Sequence, residues 1–250
     1  MAEDKPLAGK VALVTGAGHG IGEAIARIFG AAGAHTVCAA RTTSEIEAVA
    51  EAIQAEGGEA RAITCDVTDL AQVTAMMTEI ETACGRLDVM MANAGGNIHR
   101  STVEASDPEQ WVACVHLNLT SSYYCARAAV PLMKKRGGGR IILMGSGMGH
   151  RGVGSQSAYC VGKAGVWMLT RVLAEELLTD NISVNELVPG PVLTPATEAE
   201  RSAGGRLAAF EIPGEWPKLP KDVAPLALFL ATCPAPGPTA QSYSFMRRQG

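Results

Sequence analysis

Lys10-Val11-Ala12-Leu13-Val14-Thr15-Gly16-Ala17-Gly18-His19-Gly20-Ile21-Gly22 joins a short apolar run to a glycine-rich turn. The run has no polar face, so it reads as a strand buried on both sides. Beyond the turn, Ile21, Ala24, Ile25, Ile28 and Phe29 recur at helical spacing, and Gly30 and Gly33 close the pattern. The turn does not carry G-x-G-x-x-G: from Gly16 the last glycine would fall on Ile21, and from Gly18 on Glu23. It carries T-G-x-x-x-G-x-G, through Gly16, Gly20 and Gly22. Glycines let a backbone approach a pyrophosphate closely, and a helix N-terminus offers free N–H groups and a positive dipole end. Gly16, Gly18, His19, Gly20, Ile21 and Gly22 are therefore candidate dinucleotide contacts. The bland alternative is a plain glycine-rich turn.

Outward from this unit the alternation continues. Strands are expected at 35–40, 60–64, 87–91, 140–144, 182–187 and 242–246. Helices are expected at 45–56, 69–83, 108–135, 157–178 and 222–231. Apolar strands alternating with helices require a parallel sheet covered on both faces. The fold class is α/β: a single-domain, doubly wound (Rossmann-like) parallel sheet of about seven strands. No linker divides residues 1–250, and no repeat is visible. Residues 194–219 mix prolines, glycines and charges, and are read as a substrate lid; a surface insertion without a role is the alternative.

Cofactor choice rests on the end of the second strand. An acid there would bond the ribose 2′-hydroxyl of NAD. Cys38-Ala39-Ala40-Arg41-Thr42 has none. The planar fork of Arg41 suits a 2′-phosphate, with Thr42 and His19 beside it, so NADP(H) is favoured over NAD(H). Asp66 and Val67, after the third strand, are placed to meet the adenine; alternatively Asp66 caps a turn.

Of the four tyrosines, Tyr159 alone has a lysine, Lys163, four residues on. Positions i and i+4 share a helix face, and a cation beside a phenol favours the phenolate. Tyr159 is thus a candidate acid or base. Ser146 ends the fifth strand, where ligands of doubly wound sheets bind.

Together these motifs resemble the short-chain dehydrogenase/reductase superfamily in its form of about 250 residues. The resemblance runs from about Lys10 to Met246 through Thr15-Gly16-x-x-x-Gly20-x-Gly22, Asp66, Asn93-Ala94-Gly95, Asn118, Ser146, Tyr159-x-x-x-Lys163 and Pro189-Gly190. It implies hydride transfer between a nicotinamide and a carbonyl or secondary alcohol, with Tyr159 as general acid/base. Lys163 would hold the nicotinamide ribose and depress the tyrosine pKa, Ser146 would bond the substrate oxygen, and Asn118 would hold a water. Asn93, Ala94 and Gly95 would shape the loop under the cofactor. Pro189, Gly190, Val192 and Thr194 would line its nicotinamide end. A homotetramer is implied, with a dimer as the alternative. The chain departs from the family at Glu186, a charge inside a strand, and at Ala240 to Arg248.

Composition agrees. Hydrophobic residues are 47% of 250 and charged residues 18%, enough for a sizeable core. A net charge of −4 argues against a nucleic-acid or anionic-membrane partner. The seven cysteines are scattered, and neither a metal-ligand spacing nor H-E-x-x-H occurs, so no metal is expected. No signal segment or membrane-spanning run is visible, and a cytoplasmic setting is expected. His99 and His150 are either polar pocket contacts or plain loop histidines. A small neutral carbonyl or alcohol is the expected substrate. A cofactor-binding regulator or scaffold without turnover is the alternative function. A methyltransferase-like enzyme is a third, in which the Tyr159–Lys163 pair would have no purpose.

Overall fold

A computed structural model describes residues 5–195, 197, 198, 210 and 214–246. Seven parallel strands form one sheet: β1 (Val11–Thr15), β2 (His35–Ala40), β3 (Glu59–Thr64), β4 (Val89–Ala92), β5 (Gly139–Met144), β6 (Ile182–Val188) and β7 (Ser242–Ser244). Their order is β3-β2-β1-β4-β5-β6-β7. The order reverses between β1 and β4, which makes the crevice above that pair the natural ligand site.

Among the described residues the helices are α1 (Gly20–Ala31), α2 (Thr43–Ala55), α3 (Leu70–Cys84), α4 (Pro108–Val115), α5 (Ser121–Lys135), α6 (Ser157–Glu176) and α7 (Pro220–Thr232). Alternation along β1 sends Leu13 into one apolar layer, with Val73 and Met76 of α3, Ala126 of α5 and Val166 of α6. Ala12 and Val14 enter the other, with Phe29 of α1, Ile46 of α2 and Val223 of α7. The two-sided apolar strands of the sequence are therefore the middle of a three-layer sandwich.

Three expected boundaries are corrected. The helix anticipated over 108–135 is α4 and α5 joined by a π-helical turn at His116–Thr120. That turn carries the buried Asn118, whose side chain bonds back to Cys114 O at 2.9 Å. The last helix starts two residues before Asp222, because Pro220 takes the first turn and Asp222 Oδ2 accepts Leu219 N–H at 2.7 Å. The strand expected at 242–246 ends at Ser244, where the Met246 N–H turns back to the Ser244 hydroxyl. The Glu186 charge does not shorten β6, which continues to Val188. Most of the 194–219 segment read as a lid lies outside the described residues.

Candidate active site

The glycine turn sits over the β1–β4 crevice. Gly16 and Gly20 have φ of +63° and +62°. A Cβ on Gly22 would fall 2.0 Å from Gly16 O, so that position admits no side chain without moving the loop. His19 precedes α1 with extended backbone and no capping bond from its side chain. The first N–H groups of α1 therefore have no side-chain partner there, the condition an anion needs. Asn93, just past β4, ties the two strand ends together: its Nδ2 donates to Thr15 O at 3.0 Å and Gly16 O at 3.2 Å. The Thr15 hydroxyl accepts from the N–H groups of Asn93 and Ala94. A dinucleotide phosphate fits this cradle: close-packed glycines and an uncapped helix start.

At the same crevice, β5 delivers Ser146 and α6 delivers Tyr159 and Lys163 one turn apart. Met148 N–H donates to Ser146 Oγ at 3.2 Å, and the serine hydroxyl stands near enough to Tyr159 to favour its phenolate. Lys163 is buried, its Nζ donating to Met144 O at 2.7 Å and lying 5.8 Å from the Tyr159 ring centre. Burial lowers the lysine to about 8, with Glu186 opposing that shift.

The expected depression of the Tyr159 pKa is corrected. Burial raises the phenol above its ordinary value, and the Ser146 bond only partly offsets this. Asn118 belongs to the same neighbourhood, but its side chain is engaged with the protein: Oδ1 accepts Gly96 N–H at 3.1 Å and Nδ2 donates to Gly96 O at 2.7 Å. The adjacent Gly95 packs so close that a Cβ would stand 2.8 Å from Asn118 Oδ1 and 3.3 Å from Lys163 Nζ.

On the other side of the crevice, Arg41 and Thr42 are exposed at the end of β2, and Thr42 is the N-cap of α2. Asp66 is the turn former of its alternative reading: its Oδ1 accepts from Thr68 N and the Thr68 hydroxyl at 2.9 and 2.7 Å. Desolvation pushes that carboxyl up, but the Thr68 bonds and the Arg41 charge outweigh it and hold it below its usual value. Val67 is buried beside it. Gly190, past β6, has φ +70°, and Val192 is buried and bridged to Lys218. Thr194 lies over the glycine turn, its Cβ 3.5 Å from where a Gly20 Cβ would be.

Three features were missed or left open at the sequence level. Glu45, in the first turn of α2, folds back over Gly18, where its carboxylate stands 2.6 Å from the position of a Cβ. It stands outside the end of β2, where an NAD-binding acid is expected, because it comes from the next element. His150, left open as a pocket contact, is bonded instead to the buried Glu186. His99 bonds Gln110 at 3.3 Å.

All seven cysteines are free thiols, and no group of three metal-binding side chains occurs among the described residues. No helix among them is long and apolar enough to cross a membrane.

Comparison with known proteins gives a consistent picture. The short chain dehydrogenase family profile matches residues 10–204. The 3-oxoacyl-(acyl-carrier-protein) reductase FabG of Vibrio harveyi is 32% identical over 226 residues, 90% of this chain and 91% of that protein. The crystal structure of a short-chain type dehydrogenase/reductase from Mycobacterium marinum superposes with a TM-score of 0.88 at 31% identity, covering 97% of this chain and 96% of the other. That of a metagenomic short-chain oxidoreductase in complex with NADP superposes at 0.81 and 31% identity, covering 96% and 98%. The glycine turn, the reversal of strand order beneath it and these relatives agree that the chain belongs to the short-chain dehydrogenase/reductase family of nicotinamide-dependent oxidoreductases.

Proposed function

We propose that the chain is a carbonyl reductase or alcohol dehydrogenase that uses NADP(H), with Tyr159 as general acid/base. The supporting observation is the convergence of Ser146, Tyr159 and Lys163 at one crevice: Met148 N–H holds Ser146 Oγ, and Lys163 Nζ lies 5.8 Å from the Tyr159 ring centre. A bound nicotinamide supplies or accepts the hydride. Ser146 and Tyr159 hold the substrate oxygen between two hydroxyls. A phenol raised by burial keeps its proton at neutral pH and delivers it to that oxygen as the carbonyl is reduced. Lys163 places a cation where negative charge develops. Asn118 fixes the Gly95–Gly96 turn against it.

Arg41 supports NADP(H), as does the NADP bound to the metagenomic relative. Glu45 over Gly18 favours a second reading, NAD(H), since a carboxylate there can accept from ribose hydroxyls. The name of the Vibrio relative supports a β-keto substrate. In this proposal residues 1–250 are one domain, 194–219 form the lid, and a reducing, cytoplasmic setting suits the seven free thiols.

Purified protein is mixed with NADPH or NADH and a panel of ketones and β-keto esters, and nicotinamide absorbance is followed. NADPH consumption that disappears in Tyr159→Phe is expected, as is a rise in KM for NADPH, but not for NADH, in Arg41→Ala. Preference for NADH would transfer the cofactor assignment to Glu45. If neither dinucleotide is consumed in either direction, yet one binds, the scaffold alternative stands; if none binds, the proposal falls.

A further inference from the structure

A buried polar cluster lies between β5, β6, β7 and α6. Glu186 is in the interior of β6 with no exposed surface. Alternation points it toward α6, as it does Ile182 and Val184. Both carboxylate oxygens lie 3.1 Å from Nε2 of His150, and Oε2 also accepts from the Ser242 hydroxyl. An ionised carboxylate only accepts, so His150 carries the hydrogen on Nε2. A buried carboxylate in mid-strand is costly unless partnered, which gives this cluster a structural reason to stay assembled. From α6, Lys163 and Arg171 face the cluster: Arg171 Nη2 reaches Ser242 Oγ at 3.4 Å, and Trp167 stands between Arg171 and His150 at 4.2 and 5.8 Å. Cys114 approaches Lys163 from α4.

Glu186 meets both ends of the turn that carries Ser146. At the entry, Gly145 is so close that a Cβ there would fall 1.9 Å from Glu186 Oε1. At the exit, His150 is bonded to the same carboxylate. Between them Gly149 rests on the Lys163 backbone, a Cβ there falling 2.6 Å from its carbonyl carbon. Among the described residues the turn has no other side-chain bond across the sheet in this cluster: Ser146 accepts locally, from Met148 N–H.

We infer that Glu186 and His150 are positioning residues: together they clamp the Ser146–His150 turn onto α6, so that Ser146 is held against Tyr159. The kinetic consequence rests on the reductase proposal; the clamp does not. The opposing effect of Glu186 on the burial-lowered Lys163 is consistent with Glu186 facing α6.

Full-length His150→Ala, His150→Gln and Glu186→Gln are compared with the wild type by three measurements. These are hydrogen exchange of the peptide spanning 145–151, NADPH affinity from its fluorescence, and kcat/KM against pH over the ketone panel. His150→Ala should speed exchange in the turn and lower kcat/KM about ten- to hundredfold, through kcat, for the loss of one hydrogen bond to a charged group. His150→Gln, whose amide N–H can reach the same acceptor, should restore most of both. Glu186→Gln should move the alkaline limb of the profile to lower pH, because it removes the charge that opposes the lowering of Lys163. NADPH affinity should hold in all three.

Exchange rates and pH profiles that superpose on the wild type in His150→Ala and Glu186→Gln would overturn the inference. If Glu186→Gln does not fold, the two His150 variants decide. A wild-type chain that turns over no ketone overturns the reductase proposal instead, and the exchange measurement still decides the clamp.

Discussion

Lys163 concentrates the electrostatics of the site in one atom. It is buried, bonded to a main-chain carbonyl, and lowered to about 8 by desolvation. The protonated form therefore dominates below that value and is lost as pH rises through it. Carbonyl reduction is expected to fall along an alkaline limb with an apparent pKa of about 8, read from kcat/KM against pH. A profile flat through that region would remove the lysine charge from the proposed chemistry. At this scale the types and spacing of the groups were legible, since Ser146, Tyr159 and Lys163 do meet at one crevice. Their environment was not. The i+4 spacing predicts a lysine near the phenol, but it carries no measure of burial, and burial is what sends the Tyr159 pKa upward. Glu186 looked like a misplaced charge for a related reason: its partners His150 and Ser242 lie 36 and 56 residues away.

Among the elements, the glycine turn and the start of β1 carry the sharpest expectations. Gly22→Ala forces a methyl group against Gly16 O, so the turn must open. NADPH affinity should fall at least about tenfold, roughly 1.4 kcal/mol, in a fluorescence titration. At the opposite end of the sheet, Asp88 accepts Val11 N–H at 2.9 Å and Arg86 Nε at 2.7 Å, with Lys10 nearby. Desolvation pushes its carboxyl up, but these partners prevail and hold it below the ordinary value. A carboxyl lowered in the folded state contributes stability above its unfolded pKa of about 4, lost as pH falls through the folded value. Asp88→Asn should cost about 1–3 kcal/mol at neutral pH in a denaturant melt, and the gap should close in acid. An undiminished gap in acid would mean that the lost charge is not the cause. Strands and helices were legible because their periodicities differ. The π turn at His116–Thr120 was not, since an extra residue in a helical turn barely disturbs an apolar pattern that long.

Over the molecule as a whole, α4, α5 and α6 carry part of the exposed apolar surface. Val112, Tyr123, Val161, Met168 and Val172 are each between 44% and 59% exposed, too much for helices that serve only as a cover. The homotetramer or dimer that the family resemblance implies would bury side chains of this kind. Met168→Glu, outside the candidate site, is expected to shift the protein to smaller species in size-exclusion chromatography with light scattering, without loss of helical signal. An unchanged mass would place the subunit contact elsewhere. The doubly wound sheet was legible from alternation alone, because a parallel sheet has few other ways to bury strands that are apolar on both sides. The lid was not carried as far, since most of 194–219 lies outside the described residues.

The reversal of strand order between β1 and β4 also divides the work of the chain. Everything proposed to recognise the adenosine end, from Gly16 to Val67, hangs from β1, β2 and β3. The groups proposed to meet the reacting carbon hang from β4, β5, β6 and the helices between them. The two sets meet where Asn93 and Ala94 bond Thr15 and where Thr194 lies over Gly20. Such a protein is modular in an evolutionary sense: exchanging the cofactor and exchanging the substrate are separate projects, each open to change while the other stays intact.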